Sequence, residues 1–113
     1  MNARAQVWLW IAQRASAAVL AVCVLVHLVL MIYAVRGGLS AAEILGRTRG
    51  STGWLVFYGV FVAAVAVHGP IGLRNILTET FGWRGAGLNL LVAIVGLALL
   101  VWGGRAVWAV YAA

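Results

Sequence analysis

Residues 67–79, with the sequence VHGPIGLRNILTE, close a long apolar run and decide how the rest of the chain is interpreted. The run begins near Trp54 and holds His68 well inside it. An ionisable side chain at membrane depth is costly, so its presence indicates a functional site. The other histidine of the chain, His27, also lies inside an apolar run. The function of the chain therefore depends on what these two imidazoles do.

The composition is that of an integral membrane protein. Of the 113 residues, 65% are hydrophobic and 9% are charged, whereas soluble domains average about 25% charged residues. Three apolar segments, about 7–35, 53–79 and 86–111, reach the roughly 20 residues that a membrane-spanning helix needs. We therefore predict an all-α fold, with residues 1–113 forming one transmembrane domain of three spanning helices, I to III. Helix III, which has no ionisable residue before Arg105, is expected to be a lipid-facing support.

The positive charge of the chain does not indicate nucleic-acid binding. The net charge is +6, and the eight basic residues, all arginines, lie near the ends of apolar segments rather than in one cluster. Arginines in such positions typically contact lipid headgroups. The positive-inside rule does not orient the chain, because four arginines fall on each side of the predicted membrane. A single cysteine, Cys23, excludes an internal disulfide and a cysteine-based metal centre.

Four roles for the two histidines compete: hydrogen bonding between helices, proton relay, binding of a metal ion and ligation of haem iron. A metal-ion site is disfavoured because no acid or cysteine shares a helix face and a depth with both histidines. A proton relay lacks an intramembrane carboxylate, since Glu43 lies in a connector and Glu79 at a helix end. Haem ligation fits better, because neutral imidazole is a common axial ligand. Ala64 and Gly72, one turn either side of His68, are expected to leave room for the macrocycle.

The two histidines are predicted to lie at different depths. Helices I and II are antiparallel, so the start of the first and the end of the second share a membrane face. His27 follows Trp8 by 19 residues, roughly 28 Å, and His68 precedes Glu79 by 11 residues, roughly 16 Å. One iron cannot span the difference of about 12 Å, so two haems, each with a second ligand from another chain, would be needed. On the residues alone, a structural role and a proton relay remain open.

Two short motifs resemble those of the membrane-anchor (cytochrome b) subunits of succinate dehydrogenase and quinol:fumarate reductase. Residues 13–16, QRAS, resemble the Arg-x-Ser/Thr signature of their helix I. Residues 68–74, HGPIGLR, closing with Glu79, resemble their helix II signature of a haem-ligating histidine, then Gly-Ile-Arg or similar, then an acid. Arg14 precedes His68 by 54 residues, close to the family's layout, and the likeness covers nearly the whole chain.

The resemblance implies a haem b-binding anchor that forms half of a helix bundle. Such an anchor passes electrons between an iron–sulfur subunit and membrane quinone, and none of its residues is expected to catalyse the dehydrogenation. His68 and, as in two-haem anchors, His27 would ligate haem iron. The haem propionates or the quinone would lie near four further residues, Arg14, Ser16, Arg74 and Glu79. The implied partners are a second anchor subunit, the iron–sulfur subunit, a flavoprotein subunit, membrane lipid and quinone.

The expected location is the cytoplasmic membrane of a bacterium, because Arg4 leads almost directly into a first span too long for a cleavable signal. The resemblance implies a cytoplasmic N-terminus. Thr80 follows Glu79 where one type of anchor has a tyrosine that serves the quinone, so the quinone site would belong mainly to the partner. The direction of electron flow, the quinone type and the haem potentials stay open. The alternative function is a haem-free structural membrane subunit or a small transporter.

Overall fold

The computed structural model describes residues 2–113, which form four α-helices joined by short connectors. They are α1 (Ala3–Gly37), α2 (Ala41–Thr48), α3 (Thr52–Phe81) and α4 (Ala86–Ala112). Within the described residues 89% are helical and none is in a strand, so the prediction of an all-α fold is confirmed. The three long helices α1, α3 and α4 correspond to helices I, II and III, and each is long and apolar enough to cross a membrane.

Capping side chains set where the first two helices begin. The side chain of Asn2 accepts a hydrogen bond of 2.8 Å from the N–H of Ala5, so α1 begins at Ala3, ahead of the predicted boundary at residue 7. The short helix α2 follows Ser40, whose hydroxyl accepts a hydrogen bond of 3.1 Å from the N–H of Glu43. Both caps satisfy N–H groups that the first turn of a helix leaves unpaired.

The central element of the fold is α3. It packs along both α1 and α4, whereas α1 and α4 make little contact with each other. The molecule is 49 Å long and 23 Å across, long enough to cross the roughly 30 Å hydrocarbon core of a membrane. Many large apolar side chains of α1 and α4 remain exposed, which is expected of surfaces that face lipid or other membrane subunits.

Glycines bring α4 close to α3. A Cβ added at Gly96 would lie 3.0 Å from Cγ of Pro70 and 3.2 Å from the carbonyl oxygen of Ala66. A Cβ added at Gly103 would lie 2.7 Å from Cγ1 of Val62. Small residues at such contacts allow the backbones of two membrane helices to approach. The helix α3 continues through Pro70 without ending, and α4 supports it along this seam.

The short helix α2 closes one end of the bundle. Thr48 is 6% exposed, and its hydroxyl lies 3.1 Å from the carbonyl oxygen of Val110 in α4. The N–H of Gly50 donates a hydrogen bond of 2.9 Å to the carbonyl oxygen of Tyr111. These bonds attach the connector between α1 and α3 to the last turn of α4.

Candidate functional site

Ser16 of α1 and His68 of α3 meet in the interface between the two helices. Ser16 is 7% exposed, and its hydroxyl oxygen lies 3.4 Å from Nδ1 of His68. The same hydroxyl donates a hydrogen bond of 3.1 Å to the carbonyl oxygen of Gln13. When the one hydroxyl proton of Ser16 is donated to Gln13, the hydroxyl oxygen is left to accept from His68, and Nδ1 then carries the ring proton. The unprotonated nitrogen of His68 is then Nε2, the form in which imidazole binds a metal.

A hydrogen bond from the nitrogen that does not bind the metal is the usual support for a metal-ligating histidine. It fixes the tautomer, holds the orientation of the ring and makes the ligating nitrogen more basic. The ring of His68 is only partly buried, so a group held by another chain can approach it. His68 and Ser16 together therefore meet the requirements of an axial ligand and its supporting residue.

The surroundings of His27 are aromatic. The ring lies edge-on to Tyr58 and Phe61, with centroid distances of 6.1 and 5.7 Å. Its Nδ1 is buried and has no hydrogen-bond partner within residues 2–113. A buried polar atom left unpaired costs about 1–3 kcal/mol, so it calls for a specific explanation. In contrast to His68, His27 has no residue among 2–113 in the role that Ser16 plays.

The two histidines occupy two levels of one helix interface. His68 lies beside Ser16, which precedes His27 by 11 residues in α1, or roughly 16 Å. His27 lies beside Phe61, which precedes His68 by 7 residues in α3, or roughly 10 Å. The rings therefore differ in depth, as the sequence predicts, and they cannot bind the same iron atom.

The small residues next to His68 do not open a space within the chain. Ala64 is 8% exposed, and a Cβ added at Gly72 would lie 3.4 Å from the side-chain nitrogen of Gln13. Gly72 therefore lies against the side chain of Gln13 in α1, so this side of His68 is occupied within the chain. A haem on His68 would have to lie on the exposed side of the ring, against another subunit.

A cleft lined by three arginines opens at the end of the bundle where α1 begins, α3 ends and α4 begins. Its volume is about 470 Å³, and Arg14, Arg74 and Arg84 line it, with no acid among the lining residues within 2–113. The guanidinium of Arg14 lies 5.3 Å from the ring centroid of Trp10. Nε of Arg74 donates a hydrogen bond of 3.3 Å to Oδ1 of Asn89. This arginine cleft favours anionic or electron-rich groups.

The six predicted site residues fall into four places. Ser16 and His68 are in contact, and Arg14 and Arg74 line the arginine cleft. His27 lies at the other level. Glu79 is exposed at the end of α3, outside the cleft lining. Ile71, one turn after His68, lines the cleft, so the cleft begins next to the histidine. The structure thus brings five of the six residues towards one end of the molecule, although Glu79 lies outside the cleft lining.

The start of α4 contributes more than the sequence predicts. Helix III was expected to be a support, but Arg84, Gly85 and Asn89 line the arginine cleft. An asparagine in the first turn of an otherwise apolar helix is the signal that could have indicated this role. Tyr58 beside His27 is also missed, because it lies off the helical stripe through Phe61 and His68.

Clusters that could hold a bare metal ion do not occur in the part of the chain that the structure describes. No three His, Cys, Asp or Glu residues come together within residues 2–113. A lone histidine suits a metal that brings most of its own ligands, as haem iron does. The donor set of His68 therefore fits haem and does not fit a zinc-type site.

These features define a small α-helical membrane protein in which the first two spanning helices each carry a histidine at their shared interface. A family model described as succinate dehydrogenase/fumarate reductase transmembrane subunit matches residues 1–104. The chain belongs to this family, and the resemblance seen in its motifs is confirmed. A search of curated proteins and a search of solved structures find no match. The chain is thus a multi-pass membrane subunit that works with catalytic and iron–sulfur subunits.

Proposed function

We propose that the chain is a haem b-binding anchor of a succinate:quinone oxidoreductase-type complex in the bacterial cytoplasmic membrane, with a cytoplasmic N-terminus. The observation that supports haem binding is the contact of Ser16 with His68, since a proton on Nδ1 directed at Ser16 would leave Nε2 of the histidine as a metal ligand. When bound, haem b would carry single electrons between the iron–sulfur subunit and membrane quinone.

His68 would ligate one haem b and His27 a second, at the other level of the α1–α3 interface. A second anchor subunit would complete both sites, because each histidine stands alone at its level within residues 2–113. Ser16 would keep the His68 ring in one orientation. The unpaired Nδ1 of His27 would need a hydrogen-bond acceptor from the partner or from a buried water.

The charged residues near His68 would hold the polar groups of the ligands. Arg14 and Arg74, in the arginine cleft, would pair with the haem propionates or donate hydrogen bonds to the quinone oxygens. Ser16 lies at the same end of the bundle. Glu79 is exposed beyond the cleft, so its place near the quinone requires a site that a partner subunit helps to build.

The test is a haem count on the purified complex. A reduced-minus-oxidised spectrum and a pyridine haemochrome assay should give two b haems per copy of this chain. The His68→Ala variant should still insert in the membrane and should lose one of the two haems. An unchanged spectrum in this variant would refute the proposed ligand. Absence of haem from the wild-type complex would favour a haem-free structural subunit or a small transporter.

A further inference from the structure

The arginine cleft continues into an apolar groove between α3 and α4. The groove has a volume of about 750 Å³ and shares four lining residues with the cleft, namely Leu9, Ile71, Arg74 and Asn89. It runs from Arg74 to Ala63 on α3 and from Asn89 to Leu100 on α4, which is 11 residues or roughly 16 Å of each helix. One continuous surface therefore has a basic end and an apolar remainder.

The basic end on the α4 side is suited to a phosphate. The helix α4 begins after Gly85, and no side chain caps its first turn, so its N-terminus is free to attract an anion. Asn89 holds the guanidinium of Arg74 towards α4 through the 3.3 Å hydrogen bond, and Arg84 lines the same wall. Two arginines and the first residues of α4 thus line one cleft, and no carboxylate lines it among residues 2–113.

We propose that the arginine cleft and the groove together bind one acidic phospholipid. The phosphate contacts Arg74, Arg84 and the N-terminus of α4, and one acyl chain lies in the groove. The groove length is close to half of the roughly 30 Å hydrocarbon core, which is the depth of one leaflet. Among residues 2–113 no acid lines the cleft to pair with the ammonium of a zwitterionic headgroup, so the charge favours an acidic lipid.

This inference goes beyond the proposed function and does not depend on haem. It gives a role to Arg84 and Asn89, which the haem proposal does not use. Arg14, on the α1 wall beside Trp10, remains available for a propionate or a quinone. Arg74 is the only residue that both proposals use.

The test measures lipid binding by the complex purified in mild detergent and delipidated. Native mass spectrometry counts bound lipid during titration with phosphatidylglycerol, with phosphatidylcholine of the same acyl chains, and with inorganic phosphate. We expect one phosphatidylglycerol per chain, and roughly tenfold weaker binding of the other two probes. Arg84→Gln should weaken phosphatidylglycerol binding roughly tenfold, since one charge-assisted hydrogen bond is lost. The matched control Arg105→Gln, an exposed arginine outside the cleft lining, should leave it unchanged.

A second pair of variants tests the groove. Ala93 lines the groove, so Ala93→Phe should occupy the path of the acyl chain and weaken phosphatidylglycerol binding. Ala109→Phe, at an exposed alanine of α4 outside the groove lining, should have no effect. Equal binding of both lipids would overturn the proposal, as would loss of a copurified quinone rather than lipid in these variants. A haem count on the same samples tests the proposed function separately.

Discussion

The two histidine levels of the α1–α3 pair differ in how each ring is supported. At one level Nδ1 of His68 lies 3.4 Å from the hydroxyl oxygen of Ser16, and Ile71, one turn further on, lines the arginine cleft. At the other level His27 packs edge-on against Tyr58 and Phe61, with Nδ1 buried and unpaired within residues 2–113. The first level pairs its histidine with a polar residue of the same chain. The second needs a polar group from outside the chain.

The two ends of the bundle also differ: the end near His68 is open, and the end near His27 is covered. The His68 end opens into a cleft lined by arginines, where polar ligands and partner subunits can enter. The His27 end is covered by α2, which Thr48 ties to the carbonyl of Val110, and Thr48 packs close to Tyr58. The chain therefore offers one end for exchange with other groups and closes the other.

The largest effect that tests this comparison is expected for His27→Leu. Leucine is apolar like the rings of Tyr58 and Phe61 and cannot ligate iron. We expect the haemochrome count to fall from two to one, because the second haem loses its axial ligand. The spectrum that remains should be that of the haem at His68.

The control for this variant is Met31→Leu, an exposed position one turn further along α1, which should keep both haems. If His27→Leu instead keeps both haems, His27 has a purely structural role. In that case the haem count would stay unchanged. The complex would become more stable, by up to about 1–3 kcal/mol, because a buried unpaired nitrogen is removed.

A smaller effect is expected for Ser16→Ala, which removes the acceptor of the Nδ1 proton of His68. Loss of such a support typically weakens metal binding by roughly 10- to 100-fold. The imidazole also becomes a less basic ligand, so the midpoint potential of this haem should rise. A redox titration followed in the α-band should show the shift in one haem only.

Two controls separate the hydrogen bond from general packing. Ser16→Thr keeps the hydroxyl, so the midpoint potential of the haem at His68 should stay close to the wild-type value. Ser40→Ala removes a hydroxyl that caps α2 and should not move either potential. If Ser16→Ala shifted the midpoint potentials of both haems equally, Ser16 would act on the bundle as a whole. That result would contradict a specific effect of Ser16 on His68.

The sequence predicts the helices well and their mutual arrangement less well. A spanning helix needs a long apolar segment, so the three spans are visible from composition alone. The start of α1 differs by four residues because Asn2 caps it. The central position of α3 depends on contacts between residues far apart in the chain, such as Gly96 with Pro70, which no local pattern specifies.

The sequence identifies site residues that are polar within apolar segments, because such residues are costly there. It does not show what the small residues beside them contact, because that depends on how the helices pack. His68, His27 and Arg14 are visible because polar groups are rare in apolar segments. Small residues are ambiguous, since Ala64 and Gly72 can make room for a ligand or for another helix. Here Gly72 makes room for Gln13 of α1, and Ala64 is buried. The exposure of Glu79 likewise follows from how α3 ends rather than from the motif.

The smallest effect is expected for Thr48→Val, which tests whether the two ends are independent. Valine keeps the shape of the side chain but loses the hydrogen bond to the carbonyl of Val110, at a cost of about 1 kcal/mol. The midpoint temperature of thermal unfolding should fall slightly, and the rate of amide hydrogen exchange should rise in α2. The control Thr80→Val, at an exposed site, should change neither quantity. The haem at His68 lies at the opposite end and should keep its potential. A shift of that potential in Thr48→Val would mean that α2 influences both levels, and the distinction between an open end and a closed end would then fail.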